Sequence, residues 1–426
     1  MRPPRLPAVS LFSNCGAGDV GYARAGFRFK VLGEIEQRRL DVAALNHREA
    51  DPIVGDLRAT WPKVVASYRR SMGDEPPALL SACPPCQGLS SAQSRRGCAD
   101  DADAGSRDTR NLLVEVIADV GRELAPRVIV VENVLAFMTR KVRHPDTDHP
   151  ISAARLLLDR LRGDYAPFAL RANLADFGVP QTRRRAFIVL VRRDEPALPR
   201  MVEVGRAPFP AATHGAGTEQ PHVTLRAALT ALAAGPLDAR DAASAGTGMH
   251  RVPVWDDDRY RMVASIPPDS GRSAWANSFC AQCGDVQVGD DDAACPECGR
   301  PLPRPVVTRD GKWRLIHGFR NSSYRRMAPD QPASAITTAS GRSGSDNTLH
   351  PSEHRVLSMR ECQRLQTIPD TFDWGDHLKS HGHTSLRAMI GEAVPPQFTE
   401  LHGRVLASLL DGRVPRLTMR SDDWRA

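Results

Sequence analysis

The 426-residue chain has little lysine, few aromatic residues and no long apolar run. Lysine occurs only at positions 30, 63, 141, 312 and 379, so the basic charge is almost all arginine. The net charge of +7 suits a polyanionic partner. An arginine- and alanine-rich composition also follows from a GC-rich genome, so charge alone decides nothing. No apolar stretch reaches the roughly eighteen residues of a membrane-spanning helix, which excludes such a span. The opening MRPPRLPAVSLF has one short apolar patch and no cleavage-site pattern, so no secretion signal is read there. Nine cysteines without a signal point to a reducing, cytoplasmic setting, where thiols serve metals or catalysis rather than disulfides. Internal repeats and low-complexity tracts are absent as well. The length implies a large domain with a smaller companion or insertion.

What is present, over the first part of the chain, is an alternation of short apolar runs with helical patterns. That is the signature of an α/β fold with a parallel sheet. Strands are expected at Pro7 to Phe12, Phe29 to Gly33, Pro52 to Val54, Ala78 to Ala82, Arg127 to Val131 and Ala186 to Val191. Helices are expected at Val20 to Ala25, Gln37 to Leu45, Asn111 to Leu124 and Ser358 to Gln366, with a final one after Pro396. Gly16, Glu34, Asp56, Cys86 and Glu132 all fall at or just beyond the carboxyl ends of these strands, the edge where open α/β sheets bind ligands.

Each of these has a chemical reading and a plainer one. The loop Phe12 to Gly18 opens a helix after a strand and lets a nucleotide-like ligand approach the backbone; a tight turn is the alternative. Glu34, about twenty residues on, suits ribose hydroxyls. Asp56 suits an exocyclic amine, or simply caps a helix. Cys83-Pro84-Pro85-Cys86 reads as a redox pair, half a metal site, or one nucleophile held at a strand end by stiff prolines. Glu132 closes the apolar run RVIVV, where partial desolvation suits a carboxyl to acid–base work. In Gln181-Thr182-Arg183-Arg184-Arg185 the alternation of a strand points Arg183 and Arg185 to one side and Arg184 to the other.

Further on, Cys280, Cys283, Cys295 and Cys298 follow a C-x2-C-x11-C-x2-C spacing. Each half reads as a zinc knuckle, two thiolates on a tight turn with glycine following. Four thiolates close a tetrahedral shell, so one structural zinc is expected. A disulfide pair or free thiols are the alternatives. The neighbouring Arg300, Arg304 and Arg309 are candidates for DNA phosphates.

The ordered set LFSNCGAG, GEIE, GDL, PPCQGLS, DTRNLL, ENV, NLADFGVPQTRRR, RVLSMRECQRLQTIPDTF and IGEAVPP resembles the C5-cytosine DNA methyltransferases of bacterial type. It covers about residues 8–192 and 324–412. The resemblance implies a Rossmann-like, S-adenosylmethionine-dependent methyltransferase domain and a smaller target-recognition domain, with double-stranded DNA between them. It places the catalytic domain at 1–195, the recognition domain at 196–345 with a zinc-ribbon insertion at about 278–302, and a returning segment at 346–426. By similarity Cys86 is the nucleophile, Glu132 the acid, Arg185 a substrate-orienting group and Arg183 its support, which leaves Cys83 a bystander. Phe12, Cys15, Gly16, Glu34, Ile35, Asp56, Leu57, Pro85, Leu113 and Glu392 would hold S-adenosylmethionine. Three positions depart from the family pattern: Asn14 for a usual glycine, Ile35 for a frequent aromatic, and Glu392 for a usual asparagine. A transfer-RNA cytosine methyltransferase and a non-catalytic DNA-binding paralogue are the rival readings. A monomer with no membrane association is expected, with a cognate restriction endonuclease or defence-system protein as partner.

Overall fold

The computed structural model describes residues 6–85, 108–316, 322–345, 347–415 and 418–420. Seven strands form one sheet: β1 (Leu6–Leu11), β2 (Phe27–Glu34), β3 (Asp51–Val54), β4 (Leu79–Ala82), β5 (Val128–Asn133), β6 (Tyr165–Asn173) and β7 (Arg184–Arg192). Their order is β3-β2-β1-β4-β5-β7-β6. The first five run parallel, and β7 lies antiparallel between β5 and β6. The order reverses between β1 and β4, which opens a crevice at the carboxyl ends of those strands.

The apolar runs explain why both faces are covered. In β5, Val128 and Val130 enter one core while Ile129 and Val131 enter the other, as the two-residue period of a strand dictates. Helices α3 (Leu57–Met72), α4 (Val114–Leu124) and α5 (Ala153–Leu161) cover one face with Val64, Tyr68, Ile117 and Leu157. The other face is covered by Tyr22 of α1 (Ala17–Arg24), Leu40 of α2 (Gln37–Asn46), and Phe398, Leu406 and Leu409 of the helix Pro396–Leu410. That last helix lies so close to α1 that a Cβ on Gly21 would collide with Thr399 Oγ1 and the Pro396 carbonyl. Thr399 Oγ1 donates to the Gly18 carbonyl at 2.7 Å, closing the contact.

A second core gathers Leu237, Val252, Trp255, Met262, Val263, Ile266, Leu349 and Val356. Cys280, Cys295 and Leu302 form a small cluster of their own. Between sheet and second core lies a third cluster, with Cys15, Met327, Ile336, Met359, Leu386 and Ile390 among its members. There Arg355 pairs with Glu361 at 2.7 Å, both buried, and Glu361 completes a capping box with Ser358 at the start of the helix Met359–Leu365. Among the described residues no helix is long and apolar enough to cross a membrane.

The expected strands are all present. Among the elements that escape a sequence reading, two carry a proline. Helix α3 carries Pro62 inside it, a residue that removes a helical hydrogen bond. Strand β6 carries Pro167, which is tolerated because β6 is an edge of the sheet. The segment expected as one helix from Asn111 begins instead as a 3-10 turn, Thr109–Leu113, capped by the Asp108 side chain.

Candidate active site

The carboxyl ends of β1, β2, β4 and β5 open into one cavity of about 1400 Å³. Its far wall is the segment 335–345 with Pro253, Val254, Trp255 and Tyr324. All of Phe12, Glu34, Ile35, Asp56, Leu57, Pro85, Leu113, Glu132, Arg183, Arg185 and Glu392 line this space. Cys15 and Gly16 stand behind it in the supporting loop: Cys15 is fully buried, and burial pushes its thiol up to about 12. Cys86 lies outside the described residues.

At one end stands Glu132, only 5% exposed. Its Oε2 accepts from Cys83 Sγ at 2.8 Å. Its Oε1 lies 2.9 Å from Arg185 Nε as a charge contact, yet accepts no aligned hydrogen bond among the described residues. A buried carboxyl oxygen left in that state is rare in a finished fold. The approach to Cys86 is fixed from the same strand end, because Asn133 Nδ2 donates to the Pro84 carbonyl at 2.9 Å. Sequence reading passed over Asn133, although it sits inside the ENV tripeptide. It also took Cys83 for a bystander, whereas Cys83 touches the carboxyl beside it.

At the other end stands Glu34, with three of the roughly four acceptor positions of its carboxylate already taken. Oε2 accepts from Asn14 N at 2.8 Å, and Oε1 from Ile35 N at 3.0 Å and Glu36 N at 3.2 Å. Burial pushes this carboxyl up, while Arg39 and those three N–H groups pull it back down. Phe12, Asn14 and Gly16 all adopt positive φ, so the loop is folded tightly back on itself. At Gly16 a side chain would strike His47, whose Nε2 donates to the Gly16 carbonyl at 2.8 Å. Asn14, standing where a glycine is usual, donates from Nδ2 to the Met389 carbonyl, and its buried Oδ1 accepts nothing among the described residues. Ile35 is 62% exposed, an apolar surface facing the cavity.

Asp56 caps α3 through Arg58 N at 3.0 Å and pairs with the Arg58 guanidinium, which holds its carboxyl below the ordinary range. Glu392 is ion-paired with Arg39, a residue that no local motif marks out. Arg183 is 1% exposed, with Nη1 donating to the Ile336 carbonyl at 3.0 Å and Nη2 to that of Gly391 at 3.1 Å. Arg184 points out and Arg185 in, as the alternation predicts. Between the two ends, Asp19 lies buried on the cavity floor, hydrogen-bonded by Ser10 of β1 and Ser81 of β4; burial pushes it up to about 7.

Away from the cavity, the Sγ atoms of Cys280, Cys283, Cys295 and Cys298 lie within 4.8 Å of one another. Thiolates ~2.3 Å from a tetrahedral zinc would stand about 3.8 Å apart, so the set fits that metal. Gly284 and Gly299 follow each pair at φ 80° and 69°, folding the backbone back. The N–H groups of Cys283 and Gln282 pull the Cys280 thiol down to about 7. Arg304 is not a free phosphate contact: it is buried, donating to the carbonyls of Asn277, Gly289 and Asp292.

The sequence model of the C-5 cytosine-specific DNA methylases matches residues 6–407. The chain belongs to that family. It is a DNA (cytosine-5) methyltransferase, an enzyme that moves a methyl group from S-adenosylmethionine to C5 of cytosine. Type II methyltransferase M1.HgaI of Avibacterium volantium is 25% identical over 93% of this methyltransferase and 96% of its own length. Type II methyltransferase M.AgeI of Thalassovita gelatinovora is 26% identical over 95% and 99%. Among solved structures, a DNA modification methyltransferase encoded within an E. coli prophage shares the fold, with a TM-score of 0.59 at 19% identity, covering 95% of this chain and 99% of its own.

Proposed function

We propose that the methyltransferase acts on a cytosine turned out of a DNA duplex, with Cys86 as nucleophile and Glu132 as acid. The observation that carries this reading is the buried Oε1 of Glu132, which faces the cavity beside Arg185 with no aligned hydrogen bond among the described residues. C5 of cytosine is a poor nucleophile until something adds to C6. The Cys86 thiolate adds there and breaks the aromaticity, and Glu132 delivers its proton to N3 as negative charge develops. The ring electrons then collect at C5. When bound, S-adenosylmethionine would be held by the Glu34 end and would supply the electrophilic methyl group that C5 takes, its sulfonium leaving as the thioether S-adenosylhomocysteine. Loss of the C5 proton to a base expels the thiolate. Arg185 faces the carboxylate that Glu132 becomes, and Arg183 holds this strand against the far wall. A base reaches such a site only by leaving the stack.

For the cofactor, the buried Asn14 Oδ1, the exposed Ile35 side chain and the Glu34 carboxylate offer what a nucleoside carrying an amino acid requires: polar acceptors and an apolar face. Phe12, Cys15, Gly16, Asp56, Leu57, Pro85, Leu113 and Glu392 complete the proposed set. The four cysteines are read as a structural zinc site, because a closed set of four thiolates leaves no open position. The proposed division is catalytic at 1–195, recognition at 196–345 and returning at 346–426. The enzyme is read as a cytoplasmic monomer working beside a cognate endonuclease.

The experiment is labelled-methyl transfer to genomic DNA, duplex oligonucleotides and transfer RNA, with a 5-fluorocytosine duplex as a trap. Fluorine cannot leave C5 as a proton does, so a covalent adduct should accumulate on Cys86. An adduct on Cys83, or methylation of transfer RNA alone, would overturn the corresponding part of the reading.

A further inference from the structure

The chemistry above gives Cys83 nothing to do, yet the fold holds it firmly against the acid. Strands β4 and β5 are parallel neighbours with Ala82 opposite Val131, so the next residue along each strand is Cys83 beside Glu132. Cys83 N donates to the Leu11 carbonyl at 3.3 Å, and Asn133 ties down Pro84. Sγ is thereby held 2.8 Å from Glu132 Oε2. While Glu132 is ionised its oxygens can only accept, so the thiol donates to Oε2 in that state and leaves the other oxygen to take up the proton.

That direction has a consequence for the proton. An oxygen already accepting the Cys83 S–H keeps its carbonyl-like character. The acid proton therefore belongs on Oε1, and Oε1 is the buried oxygen that accepts no aligned hydrogen bond among the described residues and lies beside Arg185. Two oxygens of one carboxyl are thus made unequal by their neighbours. We propose that Cys83 is a positioning residue: its S–H fixes which oxygen of Glu132 delivers the proton to the base. The proposal rests on the reading of Glu132 as the acid.

The test uses Cys83→Ala and Cys83→Ser in the full-length enzyme, with duplex DNA and S-adenosylmethionine. Misplacing a catalytic group is costly even when it stays in the site, so Cys83→Ala should lower kcat about tenfold. KM for either substrate should change less than about twofold. Serine restores a donor of similar reach, so Cys83→Ser should recover most of the rate. Infrared spectroscopy reads the contact without turnover. The S–H stretch lost in Cys83→Ser should lie at the low frequency of a thiol bonded to a carboxylate, and should rise in Glu132→Gln. An unchanged kcat in Cys83→Ala, or equal losses in both variants with raised KM, would overturn the proposal. If instead Glu132→Gln turns over normally, the acid reading itself fails and takes this one with it.

Discussion

Two buried glutamates close two strands of one sheet, and they are finished in opposite ways. At the end of β2, Glu34 accepts three backbone N–H groups, so both of its oxygens are engaged before any ligand arrives. At the end of β5, Glu132 has a thiol on one oxygen and, among the described residues, no aligned donor on the other. A carboxylate bonded by three backbone N–H groups is held in one orientation. A carboxyl with a buried, open oxygen keeps room for a partner that comes and goes. Distance along the sheet edge separates the proposed binding end from the proposed reacting end, and the two differ in how many donors their carboxyl groups already hold.

The largest expected effect falls on the unsaturated end. Glu132→Gln keeps the shape but cannot deliver a proton, so kcat should fall by ~10²–10⁴-fold while S-adenosylmethionine affinity changes little. Single-turnover kinetics and calorimetry separate the two. Near-normal turnover would remove Glu132 from the mechanism and erase the contrast. The Glu34 end should fail in the reverse sense. Glu34→Gln loses the charge-assisted acceptor, so the cofactor Kd should rise about tenfold while kcat at saturating cofactor is nearly kept. Equal damage to kcat in both variants would show that the two ends are not distinct.

The thiolate cluster provides a control that touches neither glutamate. Replacing Cys295 and Cys298 with serine should release one zinc per chain, unfold the ribbon and weaken duplex binding. Cofactor binding should stay intact, since none of these cysteines lines the cavity. Metal analysis of reduced protein, DNA titration and cofactor calorimetry check the three parts. Freshly purified wild-type protein without zinc would refute the site.

The smallest effect concerns the third buried carboxyl, Asp19, between the two ends. Its folded-state value of about 7 lies above the ordinary 3.8 because burial disfavours the charge. The folded protein therefore keeps a proton that the unfolded chain gives up. Stability should fall as pH rises from about 4 to about 7, then level off. Asp19→Asn removes that penalty, so its melting temperature should exceed the wild type by more at pH 8 than at pH 5. Parallel melting curves at the two pH values would contradict this.

Much of this arrangement is legible in the sequence, and for identifiable reasons. RVIVV can only be a strand covered on both faces, so Glu132 had to sit at its end. Gly284 and Gly299 had to turn the two knuckles. Pairings between residues far apart in the chain were not legible. Arg39 meets Glu392, and Arg183 reaches Ile336 and Gly391, through contacts that no local pattern encodes. Arg304 looked like a surface cation because arginine usually is one; three carbonyls hold it inside. Helix α3 was hidden by Pro62, a local preference overruled by the burial of Val64, Val65 and Tyr68.

The close seat of the helix Pro396–Leu410 on α1 also sets a timetable for biosynthesis. A ribosome has released every strand of the sheet once it passes Arg192, yet the helix that covers part of one face begins only at Pro396. Until then the apolar side chains awaiting Phe398, Leu406 and Leu409 face solvent or a chaperone. The same delay withholds the Gly391 carbonyl from Arg183 and Thr399 from Gly18. A nascent chain therefore carries the glutamates, the thiols and the strand ends without the clamp that assembles them until the helix Pro396–Leu410 has been delivered.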